Sequence, residues 1–295
     1  KLRFDFLVAL ASSILKPGVM LLYIKIASAV FSPAVLGAYF FVRRFVSVAS
    51  AFCQLGTSQT LMRNLSRHST DPQKLATYYF VAILFFSLLT LLTIAVYSLF
   101  QRIIDETFYS TFNFENYKEV TPWVLALFLA YIFNYILFGV LLAGRRIIAL
   151  NLMQLMINGG IVLIYLWLMG GQATVIGAIK IEVITTIGIS LLLSAVYSPP
   201  INIKFSSLRD LREVISGYIS YGVTRGAVSA LDMMLFFIGP WVIAYDMEQV
   251  GYLLIALTAL KLIQVILLPI GQLSGVIFSN SQTEENVVGK GIVLL

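Results

Sequence analysis

The chain has 295 residues, of which 59% are hydrophobic and only 12% charged, and its mean hydropathy is +0.92. Soluble domains carry about 25% charged residues, so a soluble enzyme or a nucleic-acid-binding module is excluded. The net charge of +6 must be accommodated in or beside a bilayer.

Apolar runs predict about eight membrane-spanning helices, over 5–31, 34–62, 75–100, 121–141, 148–170, 173–198, 214–243 and 249–278. The expected fold class is therefore all-α, a polytopic transmembrane bundle, with none of the strand alternation of a barrel. The first run is too long for a cleavable signal peptide and lacks its small-residue cleavage pattern. The chain opens at Lys1 and stops at GIVLL, where a new apolar run begins, as a piece of a longer protein would.

In the first span, Lys16–Pro17–Gly18 puts a charge and a helix bend at one mid-membrane level. Lys25 lies half a turn away, near the outer end, in a position to snorkel. The second span is read as one helix across Pro33–Leu61 and carries the adjacent Arg43 and Arg44. At 1.5 Å per residue they sit roughly 14 Å deep, near the centre of a slab about 30 Å thick. A charge there costs about 2.5–3.5 kcal/mol on the lenient insertion scale and normally faces water or a partner. Arg43, Ser47, Ser50, Gln54 and Thr57 share one helical face, a polar stripe suited to lining a lumen. Arg43 and Arg44 cannot both point along it, so one pairs elsewhere or reaches the outer headgroups. Cys53, the single cysteine, excludes an internal disulfide and a cysteine-rich metal site. His68, the single histidine, falls in a basic loop and reads as solvated.

The connections alternate. Arg63, Arg67 and Lys74 follow the second span, a net acidic 101–120 loop follows the third, and Arg145–Arg146 follow the fourth. The uncharged GGQAT comes next, then Lys204, Arg209 and Arg212, then a short turn with Asp246 and Glu248. By the positive-inside rule the N-terminus is cytoplasmic. Trp123, Trp167 and Trp241 then fall at outer span ends, where amphipathic rings prefer to sit.

Pro199–Pro200 ends the sixth span, and 199–213 reads as a cytoplasmic linker. Its second part resembles a short surface helix with Leu208, Leu211 and Val214 or Ile215 on its apolar side. The chain thus divides into a first six-helix lobe (1–198), the linker, and the first two spans of an incomplete second lobe (214–295). A shift of 214 positions sets Val250–Gly251 on Leu36–Gly37, Lys261 on Ser47 and Gln264 on Ser50. Such faint internal repeats are usual in transporters.

No phosphate loop, zinc motif or nucleophile triad occurs, so no enzyme activity and no cofactor are expected. The chemistry on offer is electrostatic. Lys16, Lys25, Arg43, Arg44, Lys180, Arg225 and Lys261 fall inside spans, against only Glu182 and Asp232. Lys16, Arg43, Arg225 and Lys261 each bring a cation near mid-depth, and a space common to them would attract anions. Arginine forks suit phosphate oxygens. Ser47, Ser50, Gln54, the Asn151–Gln154–Asn158 stripe of the fifth span, and Gln264 are the neutral polar candidates for that space. The fifth-span stripe serves equally as helix–helix glue. Asp232 and Glu182 are the candidate proton carriers. Arg225–Asp232 is also read as a structural ion pair, and Lys180 and Glu182 as groups reaching the interface or pairing with other spans.

QLGTSQTLMRNLSRHSTDPQKL, LLAGRRIIALNLMQLMINGG and VGYLLIALTALKLIQVILLPIGQLSGVIFSNSQ together resemble the oligosaccharide flippases of the polysaccharide-biosynthesis type, in the multidrug/oligosaccharidyl-lipid/polysaccharide exporter superfamily. The resemblance implies two six-helix lobes around a central cavity with alternating access, in a bacterial inner membrane. It implies an undecaprenyl-pyrophosphate-linked oligosaccharide moved from the inner to the outer leaflet. Lys16, Arg43, Arg225 and Lys261 are the positions matching the cavity cations that hold pyrophosphate in related lipid flippases. Partners would be the bilayer, the lipid-linked oligosaccharide and glycan polymerase or assembly proteins. The alternatives are a multidrug cation antiporter of the same superfamily and a non-transporting scaffold of a glycan assembly complex.

Overall fold

A computed structural model describes residues 2–69, 71–112, 117–198 and 208–265, and every regular element among them is a helix. Helix α1 (Leu2–Val30) contains Pro17, as the sequence predicts. Helix α2 (Pro33–Cys53) starts on a proline at its first turn, where a missing N–H costs nothing. It stops sooner than expected. Leu55 (φ 47°) and Gly56 (φ 67°) are both left-handed, and a right-handed helix cannot run through two such residues. The chain restarts as α3 (Thr57–Arg67), with the Thr57 hydroxyl donating to the Gln54 carbonyl. The continuous span predicted over 34–62 is therefore two helices, and the polar stripe breaks at the turn.

Helix α4 (Pro72–Phe112) is capped by Asp71, whose Oδ1 accepts from the backbone N–H of Gln73 and Lys74, each at 3.1 Å. It outlasts its apolar run, kinking at Phe100 (φ −117°, ψ 18°). Much of the segment expected as the 101–120 loop is helical, supported by an Arg102–Glu106 pair one turn apart at 2.8 Å. Helix α5 (Tyr117–Ala143) begins before the predicted start of the span at 121, so Pro122 lies inside it. Arg145 (φ 52°) turns the chain into α6 (Ile147–Leu155). A π-helical turn, Met156–Gly160, joins α6 to α7 (Ile161–Met169). Helix α8 (Val175–Tyr197) is capped by Thr174, whose hydroxyl accepts from Gly177 N–H at 3.1 Å.

Helix α9 (Leu208–Val242) absorbs the segment expected as a separate surface helix. Leu211, Val214 and Ile215 pack onto Leu61, Leu65, Tyr79 and Val140, between α3, α4 and α5. Residues 199–207 of the predicted linker lie outside the described residues. Helix α10 (Met247–Val265) starts at Asp246, whose Oδ1 accepts from the N–H of Glu248 and Gln249. The remainder of the predicted 249–278 span and of the second lobe lies outside the described residues.

Among the described residues, six helical segments are long and apolar enough to cross a membrane: Pro33–Cys53, Pro72–Glu106, Glu119–Ala143, Ile147–Gln172, Val175–Tyr197 and Val214–Val242. Helices α1 and α10 occupy the other two positions where the sequence predicts spans.

The largest buried cluster joins α1, α2, α5, α7 and α8 to Phe237 of α9 and to Val250 and Leu254 of α10. Helix α2 is the shared wall. It crosses α10 so closely that a Cβ on Gly37 would overlap the Met247 carbonyl, and one on Gly251 would come within 2.8 Å of the Pro33 carbonyl. Residues 33 and 247, like 37 and 251, are related by the 214-residue shift, so each glycine meets the counterpart of what the other meets. At the other end of α2, Gly222 and Gly226 of α9 close on the Leu55–Gly56 turn, with a Cβ at either position falling 2.5 Å from a backbone atom.

Candidate functional site

The buried stripe of α8 runs Ala178, Ile179, Glu182, Val183, Thr186, Ser190. Glu182 is 1% exposed in an otherwise apolar setting, and a carboxylate there needs a partner for its charge and donors for its lone pairs. It has both. Arg43 donates to Oε1 from Nε at 2.9 Å and from Nη2 at 2.8 Å. Tyr131 of α5 donates to the same oxygen at 2.6 Å, and Tyr39 of α2, one turn before Arg43, donates to Oε2 at 3.0 Å. The guanidinium lies 5.8 Å and 5.7 Å from the ring centres of Tyr23 and Tyr39, in cation–π range.

The π-helical turn completes this cluster. Nη2 of Arg43 also donates to the Ile157 carbonyl at 3.4 Å. Gly159 in the same turn has φ 143°, and a Cβ there would meet the Tyr23 ring at 3.3 Å. A wide turn of this kind re-aims carbonyls that a regular helix would hold internally. Five elements thus converge on one arginine–glutamate pair.

Lys16 forms a second polar centre. Its Nζ donates to Asn151 Oδ1 at 2.7 Å and Gln154 Oε1 at 2.5 Å, which lie one turn apart on α6. This joins the first-span cation to two members of the predicted neutral stripe. The third, Asn158, is exposed within the π turn and stands apart. Farther along α2 the stripe turns toward α9. Ser47 Oγ approaches Met233 Sδ at 3.9 Å and Ser50 donates to the Ser47 carbonyl at 3.0 Å. Gln54 is buried and accepts from Ser58 at 3.3 Å. Gln59, beyond the break, donates to Ser229 of α9 at 3.2 Å.

The three expected cations whose side chains are described therefore have separate surroundings. Arg43 is committed to Glu182, and Lys16 to two amides. Arg225 is exposed on α9 with its guanidinium 5.9 Å from the Tyr221 ring, and among the described residues no ion pair joins it to Asp232, which is also exposed. Lys261 and Gln264 fall on the α10 backbone, with their side chains outside the described residues. Lys25 is exposed, and Lys180 lies 5.5 Å from the Trp123 ring.

Sequence reading did not find Tyr39, Tyr131 or the Ile157 carbonyl. The spacing of Tyr39 and Arg43 by four was the one local signal. Tyr131 and Ile157 are brought in by packing and by the π turn, which no motif announced.

No family model and no curated protein matches the chain. Among solved structures it is similar to a MATE protein in complex with MaD3S, with TM-score 0.63 and 16% identity over 99% of this chain and 68% of that one. It is also similar to a MOP superfamily transporter from Pyrococcus furiosus, with TM-score 0.56 and 17% identity over 99% of this chain and 67% of that one. The latter is described as having a binding pocket of reverse polarity that suggests a different function. At these identities the likeness establishes the fold, which is that of MATE-type members of the MOP superfamily.

Proposed function

We propose that this chain is a multi-pass transporter that carries a lipid-linked oligosaccharide across a bacterial inner membrane. The headgroup, an undecaprenyl-pyrophosphate sugar, would be held by cations while the lipid tail stays in the bilayer. The observation that supports this best is the charge left over in the apolar interior. Once Arg43 and Glu182 neutralise each other, Lys16 and Arg44 remain as partly buried cations on α1 and α2, whereas Arg225 and Asp232 are both exposed. An interior of that sign favours an anionic headgroup over a cationic drug.

Glu182 supplies a route to coupling. With its carboxylate ionised, Arg43 is neutralised. Protonation of Glu182 would leave the guanidinium without a counter-charge, and its charge would then be available to an anion. Proton uptake and headgroup binding would favour each other, a linkage that runs both ways. Lys16, Arg225 and Lys261 remain the direct headgroup candidates, with Asn151 and Gln154 orienting Lys16.

The test is reconstitution of the purified protein in vesicles carrying an undecaprenyl-pyrophosphate sugar on one leaflet. Wild type should move the sugar to the far leaflet, and Lys16→Gln and Glu182→Gln should each slow it. A cation antiporter is the second reading, favoured by the likeness to a MATE protein. Drug efflux with no movement of the lipid-linked sugar would establish it and reject the flippase.

A further inference from the structure

The two adjacent arginines of α2 have opposite fates, and the second is the more informative. Arg44 is partly buried and makes no hydrogen bond or ion pair with any described residue. Its guanidinium carbon lies 5.9 Å from the Phe236 ring of α9. Its Nε is buried without a partner, whereas the two terminal nitrogens, which have no hydrogen-bond partner among the described residues, are not enclosed. The fork is thus open at its tip.

The tip faces the seam between the first lobe and α9. Ser47, three residues on, reaches Met233, and Arg44 reaches Phe236, three residues beyond Met233. Arg44 lies eleven residues into α2, about 16 Å from its start at 1.5 Å per residue. From there the side chain is too short to bring its charge to either interface. A guanidinium at that depth, without an acceptor, lacks the compensation that Arg43 has.

We infer that Arg44 is an anion-binding residue, and that its missing partner is a phosphate-type oxyanion entering the seam between α2 and α9. The open fork offers two parallel N–H donors and no acceptor, which matches an acceptor-only, bidentate group. Phe236 closes one side of the guanidinium. The assignment deepens the flippase reading and rests on it for the source of the oxyanion. Inorganic pyrophosphate and a polyprenyl-pyrophosphate headgroup present the same chemistry.

The experiment is thermal unfolding of the full chain in detergent, titrated with inorganic pyrophosphate and, separately, with a short polyprenyl pyrophosphate. Both should raise the midpoint saturably in wild type and in Lys25→Gln, an exposed control. Tighter binding of the polyprenyl compound identifies a lipid headgroup, and equal binding a free anion. Arg44→Gln should weaken the response at least about tenfold, and Arg44→Lys, a point charge without the fork, should fall between. Without ligand, Arg44→Gln should unfold no lower than wild type, because it removes an unpaired cation. The assignment is overturned if Arg44→Gln responds like wild type, or if wild type responds to neither compound. Binding that depends on Arg44 in a protein that moves no lipid-linked sugar would retain the site and reject the transport reading.

Discussion

Removing Arg43 should destabilise the protein more than removing Arg43 and the Glu182 charge together. Glu182 is 1% exposed and Arg43 12%, so solvent screens little of their interaction. In Arg43→Met the carboxyl group loses its counter-charge and keeps only the hydroxyls of Tyr39 and Tyr131 as donors. Breaking a buried pair in this way costs about 3–5 kcal/mol, which for a chain of this size lowers the midpoint on the order of 10 °C. The double variant Arg43→Met, Glu182→Gln removes both charges and keeps a side-chain carbonyl to accept from the tyrosines. It should recover most of the loss, because a neutral, hydrogen-bonded replacement of a buried pair is close to neutral in stability. The assay is thermal unfolding in one detergent at one scan rate for wild type, both single variants and the double. A double variant as unstable as Arg43→Met, or single losses that simply add, would refute a mutually compensating pair and return Arg43 to the role of a free cavity cation.

Three further outcomes follow from the geometry. Gly226→Val places a Cβ 2.5 Å from the Gly56 nitrogen and 2.7 Å from the Leu55 carbonyl carbon, and backbone cannot yield, so α9 should separate from the α2–α3 turn. Limited proteolysis should then cut the 199–213 segment faster than in wild type. Gly159→Ala sets a Cβ at φ 143° against Tyr23 and should cost about 1–3 kcal/mol, read as a lowered unfolding midpoint. His68 stacks on Tyr78 with ring centres 5.8 Å apart; burial first, then Lys74 and Arg67, hold its imidazole below the usual histidine value, with Asp71 opposing. Its neutral form therefore stabilises the fold above about pH 6.5, and that contribution is lost as pH falls through the lowered value. Lys74→Gln should raise the His68 midpoint in an NMR titration.

The helical class and most helix positions were legible because they depend on long apolar runs, which composition exposes directly. Boundaries were less so where a local rule overrode the run. The α2 break depends on Leu55 taking a left-handed conformation that leucine seldom adopts, stabilised by the α9 glycines closing on it. Helix α4 runs past its apolar stretch into a charged segment, where no apolar run marks its end. The site was half legible. A polar stripe headed by Arg43 predicted a cation with a purpose, yet an arginine side chain is long enough to leave its own stripe, and this one reaches α8. The alternative noted for Glu182, pairing with another span, is what the geometry shows. For Arg43 and Arg44, the sequence required divergence but could not say which of them would be paired.

That divergence gives α2 its place in the protein. Arg43, through Glu182 and the Ile157 carbonyl, ties it to α5, α8 and the π turn. Its Gly37 and the turn after Cys53 pack it against α10 and α9. Displacing α9 and α10 from α5 and α8 therefore requires sliding on α2 or carrying α2 along.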